Sequence, residues 1–451
     1  MDTIVLKNIT LPDSGKADIV VKDGIIFRVS RHGSSGSEPG TAHKAGNGSP
    51  AGDSHPDSDG QSRGFCLQDG AEVIDCSSKA AVPGFVNMHT HAAMSLMRGL
   101  EEDVLFHKWL SKIWEVESKI DADYVRKATK VACVEMLRTG TTLYNNHYWH
   151  QDVAYAAAAE MGIRPVESYV FIDKYDESEA SKEKAECERI YEKSLSWGEP
   201  GHFTVGIHSI YSVSEQTMLW AAEFARRHGL RIHIHLCETE KEVKDCIAAR
   251  GITPVEYLDR LGLLGPDVIA AHTLWLSDHD IELLGAAGVN CVHNINSNLK
   301  LSSGYRFRYN ELRDAGANVC IGTDGCASSN NLDILEALKT AAMVQKAWRG
   351  DPSAMPLDEL LDIATVNGAK ALGFNTGRIE EGKDADILIV DTDNTFFLSP
   401  APFLANLVYS AHSDCISSVL CKGHFVMRDR KIAGEREILD EARDVLGRIR
   451  F

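Results

Sequence analysis

GFVNMHTHAAMS, residues 84–95, sets two histidines one residue apart at the end of an apolar run. Read as a strand over 86–91, it turns alternate side chains to alternate faces, so His89 and His91 leave the same face and share one space. Two neutral nitrogen donors side by side at the tip of a buried strand are suited to a common metal ion. The pair alone is weak evidence, because a chain with 18 histidines produces such pairs by chance. What lies around it decides the reading.

The stretch opens a series of eight. Apolar strand-like runs recur at 85–91, 141–146, 164–171, 203–209, 231–239, 268–274, 290–296 and 319–325. Helical patterns lie between most of them. Residues 121–140 place apolar side chains at three- and four-residue steps and stop at Gly140, and 214–229 runs from a capping Ser214 to Gly229. Strands alternating with helices imply parallel pairing, and eight such units over about 240–290 residues fit an α/β fold of the (β/α)8 TIM-barrel type. An open doubly wound sheet would show a Gly-rich phosphate turn after its first strand, and none is present.

The chain ends read differently. IVLKNI (4–9), DIVVKDGIIFRVS (18–30) and AEVIDC (71–76) are short strand patterns, with Asp23-Gly24 as a hairpin turn. Strand patterns return at 376–391 and 415–432. We therefore expect three segments: 1–82 and 376–451 together forming a small composite β-sandwich, and 83–375 forming the barrel. Residues 31–64 hold almost no apolar side chains and read as a disordered insert between two strands. Its His32, His43 and His55 leave a metal-scavenging or targeting loop as the alternative. The last residues, REILDEARDVLGRIRF (436–451), read as an exposed amphipathic helix.

A formal charge of −18 argues against nucleic acid or an anionic membrane as partner. Apolar runs fall far short of the ~20 residues a membrane span needs, and the start carries no secretory pattern. Eleven cysteines without a CxxC pair suit reduced thiols, so a cytoplasmic location is expected.

The position of the polar residues points to chemistry. His89 and His91 end the first predicted strand, His208 the fourth, His235 the fifth, His272 the sixth and Asp324 the eighth. In a (β/α)8 barrel these strand ends face one mouth. Buried ionisable groups are costly unless paired or bound to metal, and a divalent ion gives all of them a common reason. Such an ion lowers the pKa of a bound water to about 7. Glu238, three residues past His235, reaches the same mouth as a proton shuttle. His233 reads as a core residue or a support for a ligand. The fourth strand, FTVGIHS, has no lysine to form a bridging anion, so one ion is expected rather than two.

PGFVNMHTHAAMSLMRGL (83–100), HLCET (235–239), AAHTLWL (270–276), HNINSNLKLSSG (293–304) and GTDGCASSNNLD (322–333) resemble the amidohydrolase superfamily, in its branch of 5′-methylthioadenosine/S-adenosylhomocysteine deaminases. Triazine chlorohydrolases and guanine deaminases share much of the pattern. The resemblance implies one divalent metal ion, Zn²⁺ foremost with Fe²⁺ or Mn²⁺ open, bound by His89, His91, His235 and Asp324. It further implies Glu238 as the acid toward the ring nitrogen, His272 as the group orienting water, and Asp324 as proton acceptor. Glu117 in WLSKIWEVE would contact the ribose, with Glu115 as the fallback because the segment is one residue short, and His208 would contact substrate. Two positions depart from the pattern: Ile295 stands where proline is common, and Tyr169 where some relatives that handle S-adenosylhomocysteine carry arginine. The implied activity is hydrolytic deamination of an adenosine-type nucleoside such as 5′-methylthioadenosine, S-adenosylhomocysteine, 5′-deoxyadenosine or adenosine. The implied assembly is a homo-oligomer. The rivals are action on guanine, a pterin or a triazine, and a non-catalytic scaffold on the same fold. Zinc deaminases with an H-x-E and P-C-x-x-C signature are excluded, since no PCxxC occurs.

Overall fold

Two segments that are distant in sequence pair at the chain ends. The computed structural model describes residues 3–32, 70–199 and 201–448. Strands β1 (Ile4–Thr10), β2 (Lys16–Lys22), β3 (Ile25–Arg31), β4 (Glu72–Asp75) and β5 (Lys79–Pro83) come first. Asp23 and Gly24 both take positive φ, 54° and 81°, as a two-residue hairpin turn requires. The predicted insert lies outside the described residues, His43 and His55 included, except at its start, where His32 approaches Asp18 at 2.9 Å.

Eight parallel strands follow: β6 (Phe85–Thr90), β7 (Thr141–His147), β8 (Arg164–Phe171), β9 (Phe203–Ile207), β10 (Arg231–Leu236), β11 (Val268–His272), β12 (Asn290–His293) and β13 (Asn318–Ile321). They pair in chain order from β6 to β13. Nearly every residue in them is buried, because helices cover the outer face and packed side chains fill the inner one. Closure between β13 and β6 relies on individual bonds. Asp324 N donates to His89 O at 2.9 Å, and Asn87 exchanges hydrogen bonds with Thr323 at 2.7 and 3.1 Å. A Cβ on Gly322 would stand 2.8 Å from His89 N, so the seam requires glycine there.

The helices start where the sequence caps them. Asp121 accepts from Tyr124 N ahead of Ala122–Arg138, and Ser214 accepts from Thr217 N ahead of Glu215–Arg227. Strands β14 (Ile387–Asp391), β15 (Ile416–Cys421) and β16 (His424–Met427) return to the chain-end sheet. Its order is β16-β15-β14-β5-β1-β2-β3, and it forks at β1, where β4 pairs along Ile4–Lys7 and β5 at Thr10. Leu6, Ile9, Ile19, Ile387, Ile389 and Leu420 form its own apolar core. The separate strand β5 was not distinguished in the sequence. It runs into β6 with only Gly84 between, and a Cβ there would stand 2.1 Å from Thr142 Oγ1.

The last helix, Glu435–Leu446, is not exposed all round. It buries Ile438, Ala442 and Val445, and Glu435 accepts both hydrogen bonds of the Arg138 guanidinium at 2.9 and 2.6 Å. Its apolar stripe finds the helix Ala122–Arg138 because the chain end returns along that side of the barrel.

Glu167 on β8 is wholly buried, and burial pushes its carboxyl up to about 8. Asn146 Nδ2 donates to one oxygen at 2.6 Å, and the other has no partner. A carboxyl raised by folding stays protonated while the unfolded chain ionises, so stability falls as pH climbs from about 4.5 to about 8. Glu167→Gln should remove that dependence. Calorimetry should show the variant melting above wild type at pH 8.5, by an amount worth a few kcal/mol, with the gap closing at pH 5; an equal gap at both pH values would contradict the assignment.

Candidate active site

The side chains predicted to act meet at the C-terminal mouth of the barrel. His91, Glu117, His208, His235, Glu238, His272 and Asp324 line one cavity, and His89 lies fully buried beneath it. Several act from just beyond a strand rather than within it. His91 follows β6, Glu238 follows β10 across Cys237, and Asp324 stands three residues past β13. Cys237, His272, Thr273 and Asp324 adopt positive φ of 52°, 74°, 42° and 61°. Such backbone is disfavoured for residues with a Cβ and persists where surrounding bonds over-determine it. Here Thr273 N donates to Leu236 O at 2.9 Å, and the two oxygens of Glu242 accept from Cys237 N and Glu238 N, each at 2.9 Å.

Hydrogen bonds fix which ring nitrogen faces the cavity. His91 Nδ1 donates to His147 O at 2.6 Å and His235 Nδ1 to His208 O at 2.8 Å. A carbonyl only accepts, so both rings carry their proton on Nδ1 and both Nε2 atoms are bare when the rings are neutral. Those two Nε2 atoms lie 3.4 Å apart, with nothing to donate between them. Asp324 Oδ1 stands 3.2 Å from His91 Nε2 and 3.4 Å from His89 Nε2, and the latter is buried without a hydrogen-bond partner. Lone pairs turned toward one another beside a carboxylate fit a cation, and this N₃O set with an open side fits a catalytic divalent ion. His89, His91 and Asp324 offer ligand atoms within 4.8 Å of one another, and so do His89, His235 and His272.

His272 presents the opposite face. Asn298 Nδ2 donates to its Nδ1 at 3.0 Å, which leaves the proton on Nε2, 3.9 Å from Glu238 Oε2. Burial pushes both His272 and His208 down to about 3, so each is neutral. Burial, with Asp324 and Glu242 nearby, holds Glu238 well above the usual carboxylate range, so it carries a proton. Burial would also raise Asp324, but a proton shared with His89 and His91 outweighs it and holds the carboxyl well below its usual range, as a cation in the same place would. Ser297 Oγ donates to its second oxygen at 2.5 Å.

Glu117 ends the helix Phe106–Glu117, whose Trp109, Ile113 and Trp114 also line the cavity. Burial pushes its carboxyl up to about 7. Glu115 is exposed and pairs with Lys112 and Lys119 at 3.3 and 2.7 Å, so the fallback position faces solvent. Tyr169 is turned toward Phe171, with ring centroids 5.0 Å apart, and is not among the cavity residues. Among the cavity residues that the sequence reading did not name is a histidine. His147 is buried with both ring nitrogens unpartnered, and the predicted second strand stopped one residue short of it.

Glu242 carries the turn that aims Glu238. Glu242→Leu would leave two buried N–H groups unsatisfied, at about 1–3 kcal/mol each. Thermal melts should show a clear loss of stability that Glu242→Gln recovers in part; a leucine variant as stable as wild type would remove this role.

The sequence and the fold have known counterparts. Residues 80–426 match the family model described as the amidohydrolase family. A 5′-deoxyadenosine deaminase of Methanoregula boonei is 43% identical over 383 residues, covering 84% of this chain and 86% of that one. A 5-methylthioadenosine/S-adenosylhomocysteine deaminase of Archaeoglobus fulgidus is 40% identical over 388 residues, covering 84% and 90%. The solved structure of an adenosine deaminase from Xanthomonas campestris with bound zinc superposes with a TM-score of 0.86 at 29% identity, covering 99% of this chain and 98% of that one.

Proposed function

The chain belongs to the amidohydrolase family, and from that premise we propose that it is a metal-dependent aminohydrolase that deaminates adenosine-type nucleosides. The products are the corresponding inosine analogue and ammonia. The observation that carries this reading is the pair of bare Nε2 atoms of His91 and His235, 3.4 Å apart at the mouth of the barrel, with Asp324 and a protonated Glu238 beside them.

His89, His91, His235 and Asp324 would hold one divalent ion, with zinc first in line because a zinc-bound structure shares the fold. Bound there, the ion supplies Lewis acidity and water that ionises near neutral pH. The protein's own groups do the rest. Glu238 donates its proton to the purine nitrogen next to the amino-bearing carbon and makes that carbon electrophilic. His272 directs its Nε2–H at the oxygen arriving on that carbon and stabilises the charge that develops there. Asp324, ionised, accepts the proton that the water gives up. Asp324 passes that proton to the amino group, which leaves as ammonia, while Glu238 takes back a proton from the oxygen now on the carbon as the carbonyl forms. Glu117 would bind the ribose hydroxyls and His208 would contact the substrate, and Trp109, Ile113 and Trp114 of the helix Phe106–Glu117 line the same cavity.

Four measurements test this. Absorbance assays should show deamination of 5′-deoxyadenosine, 5′-methylthioadenosine, S-adenosylhomocysteine or adenosine; turnover of guanine, a pterin or a triazine alone, or of nothing, would overturn the nucleoside reading. Glu238→Gln should retain the metal and lose at least about 10²-fold in kcat, and near-normal turnover would sink the acid assignment. Glu117→Ala should raise KM for nucleosides far more than for adenine. Metal analysis should give one equivalent per chain, and two equivalents both needed for activity would contradict the single-ion site.

A further inference from the structure

His233 lies on β10, two residues before His235, and so faces the barrel interior one layer below the cavity. It is wholly buried, and both of its ring nitrogens are engaged. Its Nε2 is 2.9 Å from His89 Nδ1. Its Nδ1 is 3.2 Å from Ser168 Oγ, which is 2.6 Å from Thr204 Oγ1. Asn145 Nδ2 approaches the same Nδ1 at 3.1 Å and also donates to Met88 O.

These contacts allow two proton arrangements. In the first, His89 Nδ1–H donates to His233, His233 Nδ1–H donates to Ser168, and Ser168 donates to Thr204; Asn145 then donates to Met88 O alone, and His89 Nε2 is bare. In the second, Asn145 donates to His233 Nδ1, His233 Nε2–H donates to His89, and the His89 proton sits on Nε2, facing Asp324. Only the first presents a lone pair to a cation. His91 and His235 have no such choice, because their Nδ1 atoms face backbone carbonyls.

We propose that His233 and Ser168 are positioning residues that hold His89 in its metal-binding tautomer. The relay consists of neutral groups, so it orients the ligand without adding a buried negative charge, unlike the carboxylate that often supports a metal-bound histidine. The inference rests on the metal reading above.

The test uses the full chain, with Zn²⁺ affinity from chelator competition and the visible spectrum of the Co²⁺-loaded protein. His233→Leu should weaken zinc binding by about 10–100-fold and change the cobalt bands, as loss of a group supporting a ligand does. His233→Gln places an amide oxygen within reach of His89 Nδ1 and should restore affinity to within about threefold of wild type on the same scale. Ser168→Ala removes one hydroxyl, leaves Asn145 as the partner of His233, and should weaken zinc measurably; it carries the test even where the leucine variant does not fold. Unchanged affinity and spectrum in Ser168→Ala, or leucine and glutamine variants that bind alike, would overturn the relay. A wild-type chain that binds no metal would fail differently, by removing the ion the relay serves.

Discussion

The candidate site depends on the pairing of histidine Nδ1 atoms with groups built into the barrel. His91 is tied to His147 O on β7 and His235 to His208 O just past β9, so each ring is oriented by the backbone of another strand. A ring fixed this way has one face left to offer, and it offers it to the centre of the mouth. The geometry of the cavity is therefore a consequence of strand register. β10 pairs with β9 so that Ile234 stands opposite Ile207, and this sets His235 beside His208. A slip of one residue would turn these imidazoles toward the helices.

Much of this was legible in the sequence because it is periodic. Eight apolar runs, interrupted by helix patterns that end in glycine, leave few alternatives to a closed parallel barrel, and the ionisable residues fall at the run ends. The errors at the strand ends share one cause. Runs such as 231–239, 290–296 and 319–325 were drawn through the residues where the strand stops. Cys237, Thr273 and Asp324 leave the strand in positive φ, a conformation that apolar periodicity does not encode and that tertiary hydrogen bonds impose. His147 was missed at the same kind of boundary. Glu117 and Glu115 could not be separated by sequence, since a helix end places both near the mouth; burial of one and lysine pairs on the other separate them in the structure. β5 was hidden because it abuts β6 across Gly84, with no polar linker to mark a boundary.

Charge sets the remaining constraint. Of the groups that line or underlie the cavity, Asp324 is held as an anion, Glu238 is held as an acid, and His208, His235 and His272 are held neutral by burial. In the proposed site, a dication against three neutral imidazoles and one carboxylate would leave a net positive charge. That surplus would favour ionised water and stabilise negative charge arriving on the attacked carbon. A second ionised carboxylate beside it would cancel the surplus, so under the proposed reaction the burial that keeps Glu238 protonated would serve two purposes: it would provide the proton that activates the ring, and it would preserve the positive charge at the mouth. Glu242 fits the same economy. Burial pushes its carboxyl up to about 7, and both of its oxygens are spent on the Cys237 and Glu238 amides. It fixes the turn that aims Glu238, and its own charge adds to what keeps Glu238 protonated.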